Sequence, residues 1–321
     1  MTDVAVITVR GDVHVPLVDI HLKRRFIVLD ALKLLEDSTC LSVLVSPNSG
    51  TKVIYDGIDL SNVKSVWFRK PAFPESSSIP LDIEYRDYAA DALERLFYLL
   101  YGALRKNVLW ISDYYAIQRA NDKGWQLEVA KDVGFNIPTT LFTSDSLEAA
   151  NFITTHRNVI MKPLSSVRII GDTQPQTMFA VMVQSSKMPR LDTLHVSPLI
   201  FQKAIDVAFE IRCTVVGDQV FAAKVVHSKD NKAENNIRDW RIGHFDNNLE
   251  ITDYDNDMPQ DIKNKCIAHV KYLDLHFGAI DMIVDKNNQY WFIENNPNGQ
   301  WGFIERYTGQ LIGKAVADLL Q

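Results

Sequence analysis

The chain has 321 residues, 46% of them hydrophobic and 23% charged, enough to bury one large core or two to three smaller ones. A formal net charge of −6, from 34 Lys and Arg against 40 Asp and Glu, argues against an electrostatic nucleic-acid binder and leaves room only for local basic clefts. Cys40, Cys213 and Cys266 are widely spaced and form no CxxC or Cys/His ligand pattern, which points to a reducing compartment rather than a disulfide framework.

Met1-Thr2-Asp3 leads straight into the apolar run Val4–Val9 with no basic segment ahead of it, and no apolar run is long enough to span a bilayer. The expectation is a cytoplasmic protein with neither membrane nor nucleic acid as partner. Short apolar strands are predicted at Val4–Val9, Leu41–Val45, Val53–Tyr55 and Val66–Phe68. A helix is predicted over Tyr85–Lys106, where Ala89, Leu93, Leu96, Phe97, Leu100 and Leu104 recur at helical spacing. These make residues 1–115 a small α/β domain. Pro71 to Pro80 is rich in Pro and Ser and reads as a surface loop, and the pair Arg69-Lys70 at the preceding strand end reads more readily as solvated charge than as functional.

Residues 116–205 form a second α/β unit, with a helix from Asp122 to Val133 stopped by Gly134 and strands near Thr140, Val159–Lys162, Phe179–Val183 and Leu199–Lys203. From Phe209 the pattern turns mostly antiparallel. It has a hairpin at Gly217-Asp218, a helix near 259–275, an acidic hairpin after it, and a closing amphipathic helix through Leu311, Ile312, Ala315, Val316 and Leu319. The Asp- and Asn-rich stretch Asp246–Asp261 lacks EF-hand spacing and is a loop.

Charges placed inside apolar strands ask for a reason. Lys162 ends a strand and precedes Pro163-Leu164-Ser165-Ser166, which puts an ammonium beside a small-residue turn whose N–H groups suit a phosphate. In Pro198–Phe201 running into Gln202-Lys203-Ala204-Ile205, exposed backbone amides at the strand end suit the edge of a purine. Glu210 and Arg212 share one face of the next strand by its period of two, either as a structural ion pair or with the guanidinium aimed at a phosphoryl group.

The acidic hairpin is the sharpest feature. Gly278–Val284 and Tyr290–Pro297 flank the turn Asp285–Gln289, and a loop of two residues (287–288) or four (286–289) gives the same register, with Asp281 opposite Glu294. Alternation puts Asn296 on the same side. Like charges about 5 Å apart on a half-buried face repel, and oxygen ligands of this kind suit a hard divalent cation such as Mg2+ that shares a phosphate. The plain alternative is a solvated hairpin end with incidental acids.

In chain order, Lys123 in Asn121–Leu127, Lys162-Pro163, Gln202–Ile205, Glu210-Ile211-Arg212, Asp281 and Glu294-Asn295-Asn296 resemble the ATP-grasp ligases. Val66–Pro71, Ile137–Thr143, Asp239-Trp240-Arg241 and Asn296–Trp301 further resemble the graspetide synthetases, the microviridin-ligase type of peptide maturase. The resemblance implies an α/β (α+β) ATP-grasp fold with an N-terminal pre-ATP-grasp domain (1–115), a central subdomain (116–205) and a C-terminal subdomain carrying the metal site (206–321). It implies ATP with its adenine at Gln202, Lys203, Ala204 and Ile205, its ribose at Asp206 or Glu210, and its phosphates at Lys123, Lys162, Ser166 and Arg212. Asp239 and Arg241 join Arg212 in catalysis, and Mg2+ sits on Asp281, Glu294 and Asn296. After Lys162 many relatives carry glycines, whereas this chain has Ser165-Ser166-Val167-Arg168, so the phosphate loop is placed only loosely. The implied activity is crosslinking of a ribosomal precursor peptide, leader plus core, by a homodimer that activates Asp or Glu side chains and joins them to Ser, Thr or Lys. Addition of amino acids to a peptide or protein end, and a non-catalytic nucleotide-binding regulator, are the alternatives. The cysteines, His227 and His244 carry no catalytic role.

Overall fold

The computed structural model describes residues 3–36, 39–48, 50–104, 108–164, 168–170, 175–177, 180–227 and 249–321. Ser166, Asp239, Arg241 and His244 lie outside the described residues.

The N-terminal region builds a parallel sheet in the order β2-β1-β6-β7 from β1 (Val4–Ile7), β2 (Phe26–Leu29), β6 (Ser65–Phe68) and β7 (Leu109–Ile111). Every residue of β1 and β6 is buried, as expected when a parallel sheet is covered on both faces. Beside it β3 (Leu41–Ser46), β4 (Gly50–Tyr55) and β5 (Ile58–Asp59) form an antiparallel sheet. Between β4 and β5, Asp56 and Gly57 both take positive φ (50° and 74°), the demand of a tight Asp-Gly hairpin turn. Helix α1 spans His14–Asp19, and α2 spans Ile83–Leu104 and buries Phe97, Leu100, Tyr101 and Leu104. β2 and β7 were not predicted; neither is bounded by a clear turn signal.

Helices α3 (Tyr114–Ala120) and α4 (Lys123–Asp132) lead into an antiparallel sheet of order β12-β9-β13-β8, from β8 (Thr140–Thr143), β9 (Asn158–Pro163), β12 (Val181–Gln184) and β13 (Leu199–Lys203). The short pair β10 (Arg168–Ile170) and β11 (Pro175–Thr177) stands apart. An unpredicted helix, α5 (Ser146–His156), packs on this sheet; Asp145 caps it by accepting from the amides of Leu147 (2.7 Å) and Glu148 (3.3 Å). Ala149, Ile153, Val159, Val183, Leu194 and Phe201 form its separate core.

The last sheet is antiparallel throughout, in the order β16-β15-β14-β17-β18, from β14 (Val207–Val216), β15 (Gln219–His227), β16 (Leu249–Asp253), β17 (Phe277–Asp285) and β18 (Tyr290–Asn296). Helix α6 (Gln260–Tyr272) covers one face, with Ile262, Cys266 and Val270 against Ile211, Cys213 and Ile280. Helices α7 (Gly302–Thr308) and α8 (Ile312–Leu320) cover the other, with Ile304, Ile312, Val316 and Leu320 against Val216, Ala223 and Ala279. Strand β1 sends Ala5 and Ile7 into the first of these cores and Val4 and Val6 into the second. The N-terminal and C-terminal sheets therefore share their cores, and only the central sheet has its own. Cys213 and Cys266 are buried free thiols and Cys40 is exposed. No helix among the described residues is long and apolar enough to cross a membrane.

Candidate functional site

The β17–β18 hairpin brings Asp281 opposite Glu294 and Ala279 opposite Asn296, so the two carboxylates and the amide share one side of the sheet. The route differs from the expected one. The turn holds Val284 against Tyr290, a pairing one residue out of the predicted register, and a bulge between Asp281 and Met282 restores it. Asp285 fixes the turn: it accepts from the amides of Asn287 (2.8 Å) and Gln289 (2.9 Å) and from the Trp291 indole (3.0 Å).

Each acid has a cation beside it. Arg212 lies directly opposite Asp281 on β14, and its Nη1 donates to both carboxylate oxygens at 2.8 Å, with the guanidinium almost fully buried. Nη2 donates to the carbonyl of Gln300 (3.3 Å). That close fit requires a glycine at 299, where a Cβ would stand 2.3 Å from the Ala279 Cβ and 2.8 Å from Arg212 Nη2. Lys123 opens α4, which Asp122 caps by accepting from the Trp125 amide (3.0 Å), and its Nζ lies 3.7 Å from Glu294 Oε2.

Gln126, one turn further along α4, clasps the acidic strand. Its Nε2 donates to the carbonyls of Ala120 (2.6 Å) and Asn295 (2.7 Å), and its Oε1 accepts from the Asn295 amide (2.9 Å). This buried clasp sets the distance between the helix that carries Lys123 and the strand that carries Glu294.

Above the acids a cleft opens between the central and C-terminal sheets. Ile160, Met182 and Ile205 line one wall and Met282, Ile283 and Ile293 the other, with Lys162, Gln202, Ala204, Glu210, Asp281 and Glu294 at its polar end. Lys162 Nζ donates to Gln202 Oε1 (3.2 Å) and Gln202 Nε2 to the Thr140 hydroxyl (2.9 Å), which holds both side chains in place. A flat apolar slot with polar groups at one end suits a heteroaromatic base attached to a charged chain.

The structure thus gathers Lys123, Lys162, Gln202, Ala204, Ile205, Glu210, Arg212, Asp281, Glu294 and Asn296 around one cleft. It does not bring in two expected side chains. Lys203 is exposed and absent from the lining, and its amide and that of Ala204 already donate to the carbonyls of Thr139 (2.9 Å) and Asn158 (3.1 Å). Asp206 is exposed and sits 3.9 Å from Lys286, away from the cleft, which leaves Glu210 as the acid of that pair facing it. Among the described residues no three His, Cys, Asp or Glu side chains cluster closely enough to hold a metal, so a cation here would depend on the amide of Asn296 as well as the acids. Those donors are all oxygen and fit Mg2+.

Two further expectations are corrected. The stretch Asp246–Asp261, expected to be a loop, holds the strand β16 and the first residues of α6. Arg69 is not solvated: it is 2% exposed, its Nε is 3.7 Å from Asp12 Oδ2, and it donates to the carbonyl of Asn298. His14, equally buried, has its Nδ1 2.8 Å from Asp12 Oδ1, and its Nε2 accepts from the Trp301 amide (3.3 Å). This network assigns the neutral tautomer with the proton on Nδ1. Burial pushes His14 below its usual range, in keeping with a neutral ring. Burial alone would raise Asp12, but hydrogen bonds from the His14 ring and amide, the charge of Arg69 and the Thr8 hydroxyl outweigh it and hold the carboxyl well below its usual range. Asp12, His14, Arg69 and Gln126 carried no local signal in the sequence. Only the place of Arg69, at the carboxyl end of a parallel strand where α/β sheets bind ligands, pointed to it.

A profile of the RimK-like ATP-grasp domain matches residues 120–320. Among solved structures, the chain is similar to a Chryseobacterium gregarium RiPP-associated ATP-grasp ligase in complex with ADP and a leader and core peptide. The identity is 27% and the TM-score 0.82, over 100% of this chain and 96% of that one. It is also similar to the macrocyclase MdnC from Microcystis aeruginosa MRC, bound with its precursor peptide MdnA, at 26% identity and TM-score 0.79 over 99% and 98%. The ATP-grasp ligase PsnB, complexed with a phosphomimetic variant of minimal precursor, Mg and ADP, shares the fold at 18% identity and TM-score 0.75 over 100% and 98%. No curated protein matches by sequence.

Proposed function

Since the chain belongs to the RimK-like ATP-grasp family, we propose that it is an ATP-dependent peptide macrocyclase that joins side chains of a ribosomal precursor peptide. The observation that carries this reading is likeness over the whole length, N-terminal region included, to ligases solved with their precursor peptides. A nucleotide-binding unit alone would not require that.

In this reading ATP lies in the cleft with its base between the apolar walls, near Gln202, Ala204 and Ile205, and Lys203 contributes through its backbone. Glu210 faces the ribose, Lys123, Lys162 and Arg212 meet the phosphates, joined by Ser166 and Arg241, and Asp239 acts with Arg212 and Arg241 in catalysis. Asp281, Glu294 and Asn296 would hold Mg2+, which when bound neutralises phosphate charge. A peptide carboxylate oxygen attacks the γ-phosphorus and ADP leaves. A Ser or Thr hydroxyl, or a Lys amine, then attacks the acyl carbon; inorganic phosphate leaves and the nucleophile gives up its proton. Arg212 and Lys123 stabilise the charge that develops on the transferred group, and no nucleophile of the protein is needed. Each ring closed removes one water from the peptide and converts one ATP to ADP and phosphate. We assign residues 1–115, 116–205 and 206–321 to pre-ATP-grasp, central and C-terminal units of a cytoplasmic homodimer.

The test is mass spectrometry of Thr-, Ser-, Lys- and acid-rich peptides encoded beside the gene after incubation with protein, ATP and Mg2+. Loss of whole waters that requires ATP, and that disappears in Glu294→Ala and Asn296→Ala variants which still fold, is the expected result. Gain of an amino-acid mass would mean terminal addition instead, and full activity in either variant would overturn the metal assignment.

A further inference from the structure

Next to the nucleotide cleft is a second cavity, of about 440 Å3, at the seam between the N-terminal sheet and the loop that follows Asn296. Phe68, Phe73, Tyr98 and Tyr114 wall it, and Tyr98 stacks on Tyr114 with centroids 5.3 Å apart and planes at 28°. Its lining holds two cations, Arg69 and Lys70, and no carboxylate. Glu94, outside the lining, accepts a hydrogen bond from the Tyr98 hydroxyl.

The charge there is not balanced. Asp12 stands beside Arg69 and Asp281 beside Arg212, but no described carboxylate forms an ion pair with Lys70. Arg69 is fixed by Asp12, His14 Nε2 and the Asn298 carbonyl, and its buried Nε has no hydrogen-bond partner among the described residues. Burial pushes Arg69 down to about 10, and burial with the neighbouring Arg69 lowers Lys70. Arg69 remains protonated at neutral pH, and an incoming anion would meet Arg69 and Lys70 in a cavity whose described lining holds no carboxylate. Its aromatic walls suit methylene groups better than a bare phosphate, and 440 Å3 has room for a side chain with its backbone.

We propose that this cavity receives an acidic side chain of the peptide, with Lys70 and Arg69 taking its carboxylate and the aromatic wall its methylenes. The proposal rests on the peptide-ligase reading and deepens it: carboxylates are recognised by N-terminal residues immediately beyond the strand that bears Glu294 and Asn296.

The test uses saturation-transfer NMR with a capped glutamate, N-acetyl-glutamate N-methylamide, and the matching capped glutamine, on the full chain. Lys70 reaches solvent, so its replacement spares the fold. Expected is transfer to the glutamate side-chain methylenes, about fivefold weaker for the glutamine probe and for Lys70→Gln, and retained in Lys70→Arg. Equal signals from the two probes, or no loss in Lys70→Gln, would overturn the proposal. The readout is independent of turnover, so dehydration of a peptide without probe discrimination sinks this pocket and spares the ligase reading, and the reverse pattern does the opposite.

Discussion

His269 offers a sharp test of the packing beneath the acidic hairpin. It lies on α6 with no exposure, its ring 4.6 Å from Phe292 on β18 and 6.5 Å from Phe135, and neither nitrogen has a partner among the described residues. Burial pushes it from the ordinary 6.5 down to about 3. The folded ring stays neutral where the unfolded ring binds a proton, so its effect is absent above pH 6.5 and destabilises progressively as pH falls from there toward 3. Each pH unit well inside that window costs about 1.4 kcal/mol, giving about 2 kcal/mol between pH 7.5 and pH 5.0. His14, also lowered by burial, adds a loss of the same sign, so the comparison must be with a variant. His269→Leu keeps the apolar packing and removes the proton. Urea unfolding followed by tryptophan fluorescence should show the variant losing about 2 kcal/mol less than wild type over that interval. Parallel pH profiles for the two proteins would refute the reasoning and mean that the ring nitrogens are solvated.

Gly299→Ala should force Arg212 off Asp281, costing about 1–3 kcal/mol by overpacking and cutting ATP-dependent turnover more deeply than the melting shift alone explains; unchanged turnover would show that the loop relaxes. Gln126→Leu strips Asn295 of two hydrogen bonds in a buried setting and should cost roughly 1–3 kcal/mol, with a raised KM for ATP as Lys123 loses its spacing from Glu294. Asp12→Asn removes a carboxyl held below its usual range. That group contributes stability above the ordinary 3.8 which is lost as pH falls through its lower folded value, so acid unfolding below pH 4 should be shallower in the variant than in wild type.

The strands were legible where β-branched and aromatic residues ran together, as in β6, β13 and β17; β2 and β7 were missed, although β2 is as long as β6. The pairing of Asp281 with Glu294 was foreseen through a tighter turn than the one the chain makes. Burying the same apolar face on both sides of the bulge forces the shift to be undone before the acids are reached, so the outcome survives the wrong turn. Charges inside apolar strands announced Arg212, Asp281 and Glu294 because desolvation there needs a partner. Arg69, His14 and Gln126 did not, since the groups that give them meaning lie 55, 287 and 169 residues away in sequence.

The pairing of each acid with a cation also bears on how the site would work. Asp281 and Glu294 sit side by side without excess charge because Arg212 and Lys123 neutralise them one for one. A metal nucleotide brings both signs together: its cation can take over the carboxylates while its phosphates take over the guanidinium and the ammonium. The resident pairs avoid the penalty of a bare acid pair or a bare Arg212 under the Gly299 loop, and the net negative charge of an incoming metal nucleotide would be met in part by Lys162 in the same cleft. Single removals should therefore be worse than matched ones. Arg212→Met alone strands Asp281, whereas Arg212→Met with Asp281→Leu should recover folding stability, although neither would restore turnover.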